Sequence, residues 1–289
     1  MSDWNALFEA HNQELRGFIE NFLQEDIGDG DHTTLACVAP NSQSEAYLMS
    51  KDKGIWVGNR IVQLVIENFF PGIDYSLKKD DGQTIEYGDT IYELGGSTAQ
   101  ILTSERLILN LVQHLSGIAT TTHHMAGLIA DLPTKLLDTR KTTPGLRLLE
   151  KWAVKMGGGE NHRMGLYDMV MIKDNHIDQC GSITLAVERV SEYLASKNLK
   201  LMLEVETRNL DNVKEVMSLD QVDWLMLDNF SPDQIRDALL LIDKRKITEA
   251  SGGINAGNIR AYAETGVDFI SSGSLTQRAG ALDLSLKMK

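Results

Sequence analysis

The chain has 289 residues, 42% hydrophobic and 24% charged, which is room for one large soluble domain or two ordinary ones with a sizeable core. It carries 28 Lys and Arg against 41 Asp and Glu, a net charge of −13, which argues against the broad basic face of a nucleic-acid binder. No apolar run reaches the ~18 residues of a membrane span, the N-terminal MSDWNALFEAHNQEL does not read as a signal peptide, and Cys37 and Cys180 lack metal or redox spacing, so the expectation is a cytoplasmic protein with small, buried or neutral cysteines.

Residues 4–24 place Leu7, Phe8, Leu15, Phe18, Ile19, Phe22 and Leu23 at the spacing of one amphipathic helix. EDIGDGDHTT (25–34) reads as a turn and helix cap; Asp29, Gly30 and Asp31 lack the ligand set and closing Glu of a calcium loop. From 45 to 102, alternating segments punctuated by glycine predict strands, with a hairpin signal at Asp81-Gly82 and a helix over 58–68. This half reads as a small α+β layer. A second helix follows over 104–115, capped at Thr103 or Ser104, with Arg106 in its first turn; taken alone, Arg106 reads as a solvated helix charge. His123 and His124, on a further helix TTHHMAGLIA, have no matched partner spacing.

After about residue 118 short apolar runs recur, each closed by a polar residue and followed by a helix-like segment: LLDTRK, MVMIKD, LMLEVET, DWLMLDNF, ITEASGGI and FISSGSL. Their closing residues are Lys141, Lys173, Glu204, Asp228, Ser251 and Ser272, and the later intervals are 31, 24, 23 and 21 residues, the spacing of βα units. Parallel strands ending in functional groups suit an α/β barrel, whose chemistry collects at the carboxyl ends of its strands. Six visible units are fewer than eight, so the barrel is expected to be open (incomplete), or completed by strands that the pattern does not show.

The first of these units opens the only locally cationic stretch. Residues 135–176 hold eight basic against five acidic residues, so the remainder carries −16. Such a patch inside an acidic protein suggests a focused site for a small polyanion. A short strand over 135–141 ends in Asp138-Thr139-Arg140-Lys141; Thr143-Pro144 reads as the start of a helix that buries Leu149, Trp152, Ala153 and Met156 and stops at Gly157-Gly158-Gly159. Arg140, Lys141, His162, Arg163 and Lys173 then fall at strand ends and loops. Further on, Ser251-Gly252-Gly253 and Ser272-Gly273 follow the last two strands, where barrels commonly cradle phosphate. Glu204 and Asp228 close apolar runs and suit hydroxyls, a cation-like centre or Mg²⁺, while Glu206 and Arg208 read as solvated neighbours. With no Ser-His-Asp or Cys-His arrangement, the parts fit the binding of a phosphorylated sugar beside an anionic co-substrate.

EDIGDGDHTT, TSERLILNLVQHLSGIAT, LLDTRKTTPGLRLLEKWAVKMGGGENHRMGLYDMVMIKDNH, LEVET, MLDNF, EASGGI and GVDFISSGSLT together resemble the quinolinate phosphoribosyltransferase family over nearly the whole chain. The resemblance implies an open α/β barrel (118–275) with an N-terminal α/β sandwich domain (1–117), onto which the segment 276–289 packs back. It implies transfer from 5-phosphoribosyl-1-pyrophosphate (PRPP) to quinolinate with loss of CO₂, giving nicotinate mononucleotide with Mg²⁺ in NAD biosynthesis, in a homodimer with shared sites. By position, Arg106 would reach the neighbouring subunit's site; Thr139, Arg140, His162 and Arg163 would hold substrate, the last three the dicarboxylate. Lys141 and Lys173 would meet the sugar pyrophosphate and the substrate; Glu204 and Asp228 would hold ribose hydroxyls and Mg²⁺, directly or through water; Ser251, Gly252, Gly253, Ser272 and Gly273 would cradle the 5-phosphate. Gln277 stands near where many relatives carry His, which puts a contact from that side in question. Rival readings are a related transferase with another acceptor, such as the molybdenum-utilisation relatives, a Schiff-base aldolase using Lys173, and a phosphosugar sensor without turnover.

Overall fold

A computed structural model describes residues 4–289; the sequence readings that begin at residue 1 extend, over residues 1–3, outside the described part. In chain order the first elements are α1 (Trp4–Ala10), α2 (Asn12–Ile27), α3 (His32–Cys37), β1 (Gln43–Ser50), β2 (Gly54–Ile55), α4 (Asn59–Phe69), β3 (Ile73–Leu77), β4 (Thr84–Ile85), β5 (Thr90–Ser97) and α5 (Thr98–Gly127). The helix expected over 4–24 is two helices, divided at His11. Asp31 caps α3, accepting the Thr34 N–H at 3.0 Å, in keeping with a cap rather than a calcium loop. The hairpin at Asp81-Gly82 is not formed: β4 pairs with β2, and β3 pairs with β5. Asp81 serves instead as a helix cap, its Oδ1 accepting the N–H groups of Gly58 and Asn59 at 2.6 and 3.0 Å at the start of α4. The helices expected at 104–115 and around His123 are one 30-residue helix, α5.

The chain continues with β6 (Lys135–Leu137), α6 (Arg147–Met156), β7 (Val170–Ile172), α7 (Asp174–Cys180), α8 (Ile183–Ser196), β8 (Leu203–Thr207), α9 (Leu210–Met217), β9 (Trp224–Asp228), α10 (Pro232–Ile242), β10 (Ile247–Ser251), α11 (Ile259–Ala263), β11 (Phe269–Ser271), α12 (Ser274–Gln277) and β12 (Leu284–Met288). α6 starts three residues after Pro144, because Gly145 is left-handed (φ 84°) and the Leu146 N–H closes a turn on the Thr143 carbonyl at 3.0 Å. Serine and asparagine caps punctuate the later units: Ser182, Asn209 and Ser231 each accept an N–H three residues on, and Pro232 occupies the first position of α10.

The described chain divides into two compact units. The first (to Thr121, with 152–157 and 279–289) is built on an antiparallel sheet of order β12-β1-β5-β3. Along β1 the residues Ala46, Leu48 and Ser50 alternate inward, and α4 buries Ile61, Val62, Val65 and Ile66. The second unit (122–151 and 158–278) holds six parallel strands in the order β6-β11-β10-β9-β8-β7, an open α/β barrel with a gap between β6 and β7. Its central strands are buried almost along their length, which is why they read as continuous apolar runs. No helix among the described residues is long and apolar enough to cross a membrane. Both cysteines are free; Cys37 is exposed and Cys180 half-buried.

In the first unit the final chain segment crosses closely over α5: the Leu282 N–H donates to the Gln113 carbonyl at 3.0 Å, and a Cβ on Gly117 would lie 1.9 Å from the Gly280 carbonyl oxygen. A Gly117→Ala variant should therefore lose about 1–3 kcal/mol despite the better helix propensity of alanine, measured by urea unfolding. Unchanged or increased stability would contradict this packing.

Candidate functional site

The loop following β6 is held by one buried network. Asp138 and Lys151 have no exposed side-chain surface and form an ion pair. Asp138 also accepts the His162 N–H at 2.8 Å and the Asn161 amide at 2.6 Å, and Lys151 donates to the His162 carbonyl at 3.1 Å. Burial pushes Asp138 up and Lys151 down, and their mutual attraction opposes both shifts. Arg140 and Arg163 are the residues that extend from this network. Arg163 donates to the Met169 carbonyl at 3.0 Å; the Nε of Arg140 is buried without a hydrogen-bond partner. Burial and the charge of Arg140 both make Arg163 hold its proton less tightly than usual, with Glu204 and Asp168 opposing from a distance, and among the described residues no carboxylate lies within ion-pair distance of either guanidinium. Such a pair calls for an anion.

Beside them, at the carboxyl ends of the strands, a cavity of about 520 Å³ is lined by Thr139 and Lys141 after β6, Lys173 after β7, Asp228 at the end of β9, and the turns Ser251-Gly252-Gly253 and Ser272-Gly273. Lys141 is pinned from two sides: its N–H donates to Thr139 Oγ1 at 3.0 Å, and its carbonyl accepts the Thr276 hydroxyl at 2.7 Å. Gly252 is left-handed (φ 97°), and a Cβ there would meet Asn229 Oδ1 at 2.2 Å, so only glycine brings this turn against the cavity. A larger cavity, about 1240 Å³, opens at the opposite ends of the strands. Several of its polar groups are engaged within the fold: Asp223 accepts the Leu203 N–H at 2.8 Å, Asp268 the Thr248 N–H at 2.9 Å, and Lys246 donates to the Leu219 and Val222 carbonyls.

The acidic side of the cavity differs from the sequence reading. Glu204, expected beside Asp228, is the second residue of β8 rather than its last and is wholly buried. Glu206, read as a solvated neighbour, lines the cavity and forms an ion pair with Lys173 at 2.5 Å. Side chains two apart on a strand share a face about 6.6 Å apart in depth. The alternation LEVET puts both glutamates inward and only the later one at the mouth, a signal available in the sequence. Asp228 is raised by partial burial and by the charge of Glu206. Asn229, Gln277 and Arg278 also line the cavity. Arg106 is exposed on α5 in the first unit; Arg208 pairs with Asp174 at 2.8 Å, away from the residues that line the cavity. His123 and His124 are exposed.

Glu204 instead joins His162 and Glu249 in a buried triad. His162 Nε2 lies 3.2 Å from Glu204 Oε2 and 3.0 Å from Glu249 Oε2. Among the described residues these donors are close enough together to hold a metal ion. A metal-bound imidazole, however, keeps a proton on its other nitrogen, and here His162 Nδ1 accepts the Arg163 N–H at 2.8 Å. The ring proton is therefore on Nε2, and the triad is a proton-holding cluster. Burial pushes Glu204 up to about 7, the charge of Glu249 adds to this, and His162 opposes it. Burial lowers His162 while the two carboxylates outweigh it and raise it, and Nδ1 is occupied by the Arg163 N–H.

The stabilisation from a carboxyl raised above its unfolded value is complete below about 4.5 and is lost as pH rises through about 7. The midpoint of thermal unfolding should thus fall between pH 5 and 8, and a Glu204→Gln variant should show a flatter profile. Parallel profiles would contradict the raised Glu204.

The geometry can be set beside known proteins. The chain matches the family description "Quinolinate phosphoribosyl transferase, N-terminal domain" over residues 31–116 and "Quinolinate phosphoribosyl transferase, C-terminal domain" over residues 118–287. It is 42% identical to a chloroplastic nicotinate-nucleotide pyrophosphorylase [carboxylating] of Arabidopsis thaliana, covering 95% of this chain and 83% of that one. It is 41% identical to a probable nicotinate-nucleotide pyrophosphorylase [carboxylating] of Bacillus subtilis, over 94% and 93%. The solved nicotinate-nucleotide pyrophosphorylase of Francisella tularensis superposes with a TM-score of 0.91 at 39% identity, covering 96% of this chain and 97% of that chain. The chain belongs to the quinolinate phosphoribosyltransferase family.

Proposed function

We propose that the protein transfers the phosphoribosyl group of PRPP to quinolinate with decarboxylation, giving nicotinate mononucleotide, pyrophosphate and CO₂. The observation that carries this reading is the Arg140–Arg163 pair, short of carboxylate partners, next to a cavity with lysines on one side and glycine turns on the other. A planar diacid suits two guanidinium forks, and a sugar phosphate suits the turns after β10 and β11. Membership of the family and the relatives' names support the same reaction. A Schiff-base role for Lys173 fits poorly, because its Nζ is already engaged by Glu206 at 2.5 Å rather than held apart in an apolar pocket.

In this reading the pyridine nitrogen of quinolinate forms its bond to the anomeric carbon as the bond to pyrophosphate breaks, the electron pair leaving with pyrophosphate. Asp228 and Glu206 face the ribosyl centre as it becomes cation-like and stabilise it by fixed charge. Lys141 and Lys173 offset charge on the leaving group. The 2-carboxylate then departs as CO₂, its electron pair falling to the ring carbon beside the pyridinium nitrogen, and that carbon takes up a proton. Asp228 and Glu206 are also the acids that fit Mg²⁺, since this ion takes one or two carboxylates with phosphate oxygens and water. When bound it would supply charge neutralisation at the pyrophosphate. Glu204, enclosed against His162, is not suited to that role.

We place the active form as a homodimer in which Arg106, exposed on α5, completes the partner's diacid site. Incubation with PRPP and Mg²⁺ should release CO₂ and nicotinate mononucleotide from quinolinate and give no product from nicotinate; turnover of nicotinate instead would overturn the reading. Arg140→Ala should raise the KM for quinolinate at least about tenfold while leaving that for PRPP nearly unchanged; equal losses for both would contradict the assignment. At a quinolinate concentration too low for either variant alone to turn over appreciably, mixing Arg106→Ala and Arg140→Ala chains should raise activity to about a quarter of wild type, because half of randomly formed dimers then hold one intact site. No recovery on mixing would contradict shared sites.

A further inference from the structure

Glu249 lies on β10 with no exposed surface and does not line the cavity, yet it joins both halves of the site. Its Oε1 accepts the Ser271 hydroxyl at 2.5 Å, and Ser271 Oγ lies 3.2 Å from Ser251 Oγ. Both serines line the cavity on the side of the glycine turns. Its Oε2 lies 3.0 Å from His162 Nε2, and the opposite nitrogen of that ring accepts the Arg163 N–H at 2.8 Å. The path Ser251–Ser271–Glu249–His162–Arg163 therefore runs without a gap longer than 3.2 Å from the serines beside the glycine turns to the backbone N–H of Arg163.

We propose that Glu249 is a positioning residue that couples the sugar-phosphate side of the site to the diacid side by fixing the imidazole of His162 against Arg163. The inference rests on the reaction proposed above and goes beyond it. The imidazole Nε2 lies between two buried carboxylates, Glu204 from β8 at 3.2 Å and Glu249 from β10 at 3.0 Å, close enough to pair by charge although neither makes an aligned hydrogen bond to it. The Ser271 hydroxyl donates to Glu249, so a change at Ser271 alters how strongly Glu249 holds the ring. The ring's other face of contact is the Arg163 backbone, so the change is felt at the guanidinium. Coupling through such a network is reciprocal: what alters the serine side alters affinity on the diacid side by a definite factor.

The test is calorimetric titration of quinolinate, without PRPP so that no turnover occurs, into the full-length wild type, Ser271→Ala, Glu249→Gln and the double variant. Ser271→Ala should weaken quinolinate about fivefold although the serine is on the phosphate side, and in the Glu249→Gln background the same change should have almost no further effect. A merely structural role would give no such dependence of one substitution on the other. Should Glu249→Gln fail to fold, as judged by thermal unfolding, Ser271→Ala alone decides: wild-type affinity for quinolinate overturns the coupling. So do two losses that simply multiply. Absence of quinolinate binding to the wild type would instead overturn the reaction assignment itself.

Discussion

The ion pair of Asp138 and Lys151 is the constraint on which the rest of the site depends. It is enclosed completely, and it holds the chain at both ends of a 24-residue excursion: Asp138 directly after β6, and His162 through both its N–H and its carbonyl. Removing one partner of such a pair leaves a buried charge uncompensated, at a cost of roughly 3–5 kcal/mol. The structural consequence matters more than the energy. Arg140 lies two residues past one end of the clamp and Arg163 one residue past the other, so two strand-end loops present their guanidiniums together. Nothing in their own loops would bring them to one place.

Pairing elsewhere is what leaves these cations available. Lys151 is satisfied by Asp138, Lys173 by Glu206, and Arg208 by Asp174. His162 absorbs the influence of Glu204 and Glu249 behind the arginines. The acidic chain could readily have neutralised its own basic patch; instead its carboxylates are assigned to particular partners, and the excess positive charge is left where a dianion belongs. The cavity beside it combines fixed negative charge at Asp228 and Glu206 with lysines and glycine turns, which suits a reaction that creates a cationic ribosyl centre and an anionic leaving group at once.

Much of this was legible in the sequence because the barrel is made of repeated local rules. Apolar runs closed by polar residues located β7, β9, β10 and β11, and the glycines after the last two strands marked the turns that line the cavity. Depth along a strand was harder to read. In LEVET the apolar run alone points to Glu204 as the end of β8, whereas the two-residue repeat of a strand carries Glu206 to the mouth. Non-local pairing was out of reach: Asp81-Gly82 has the residues of a hairpin, yet β3 and β4 find different partners, and Asp81 caps a helix more than twenty residues earlier. The role of Glu249 was equally hidden, since it depends on Ser271 and His162, which come from distant parts of the chain. Arg106 carries no local signal beyond its helix, and only the family resemblance singled it out.

The central claim is that a clamp built on Asp138 and Lys151 presents Arg140 and Arg163 as a ready-made seat for a pyridine dicarboxylate. A crystal structure with quinolinate bound tests it most directly. The account places the two carboxylates against those guanidiniums, with the Asp138–Lys151 pair unmoved behind them. A diacid bound elsewhere, or a His162–Arg163 segment that has to leave its clamp to reach the ligand, would contradict it.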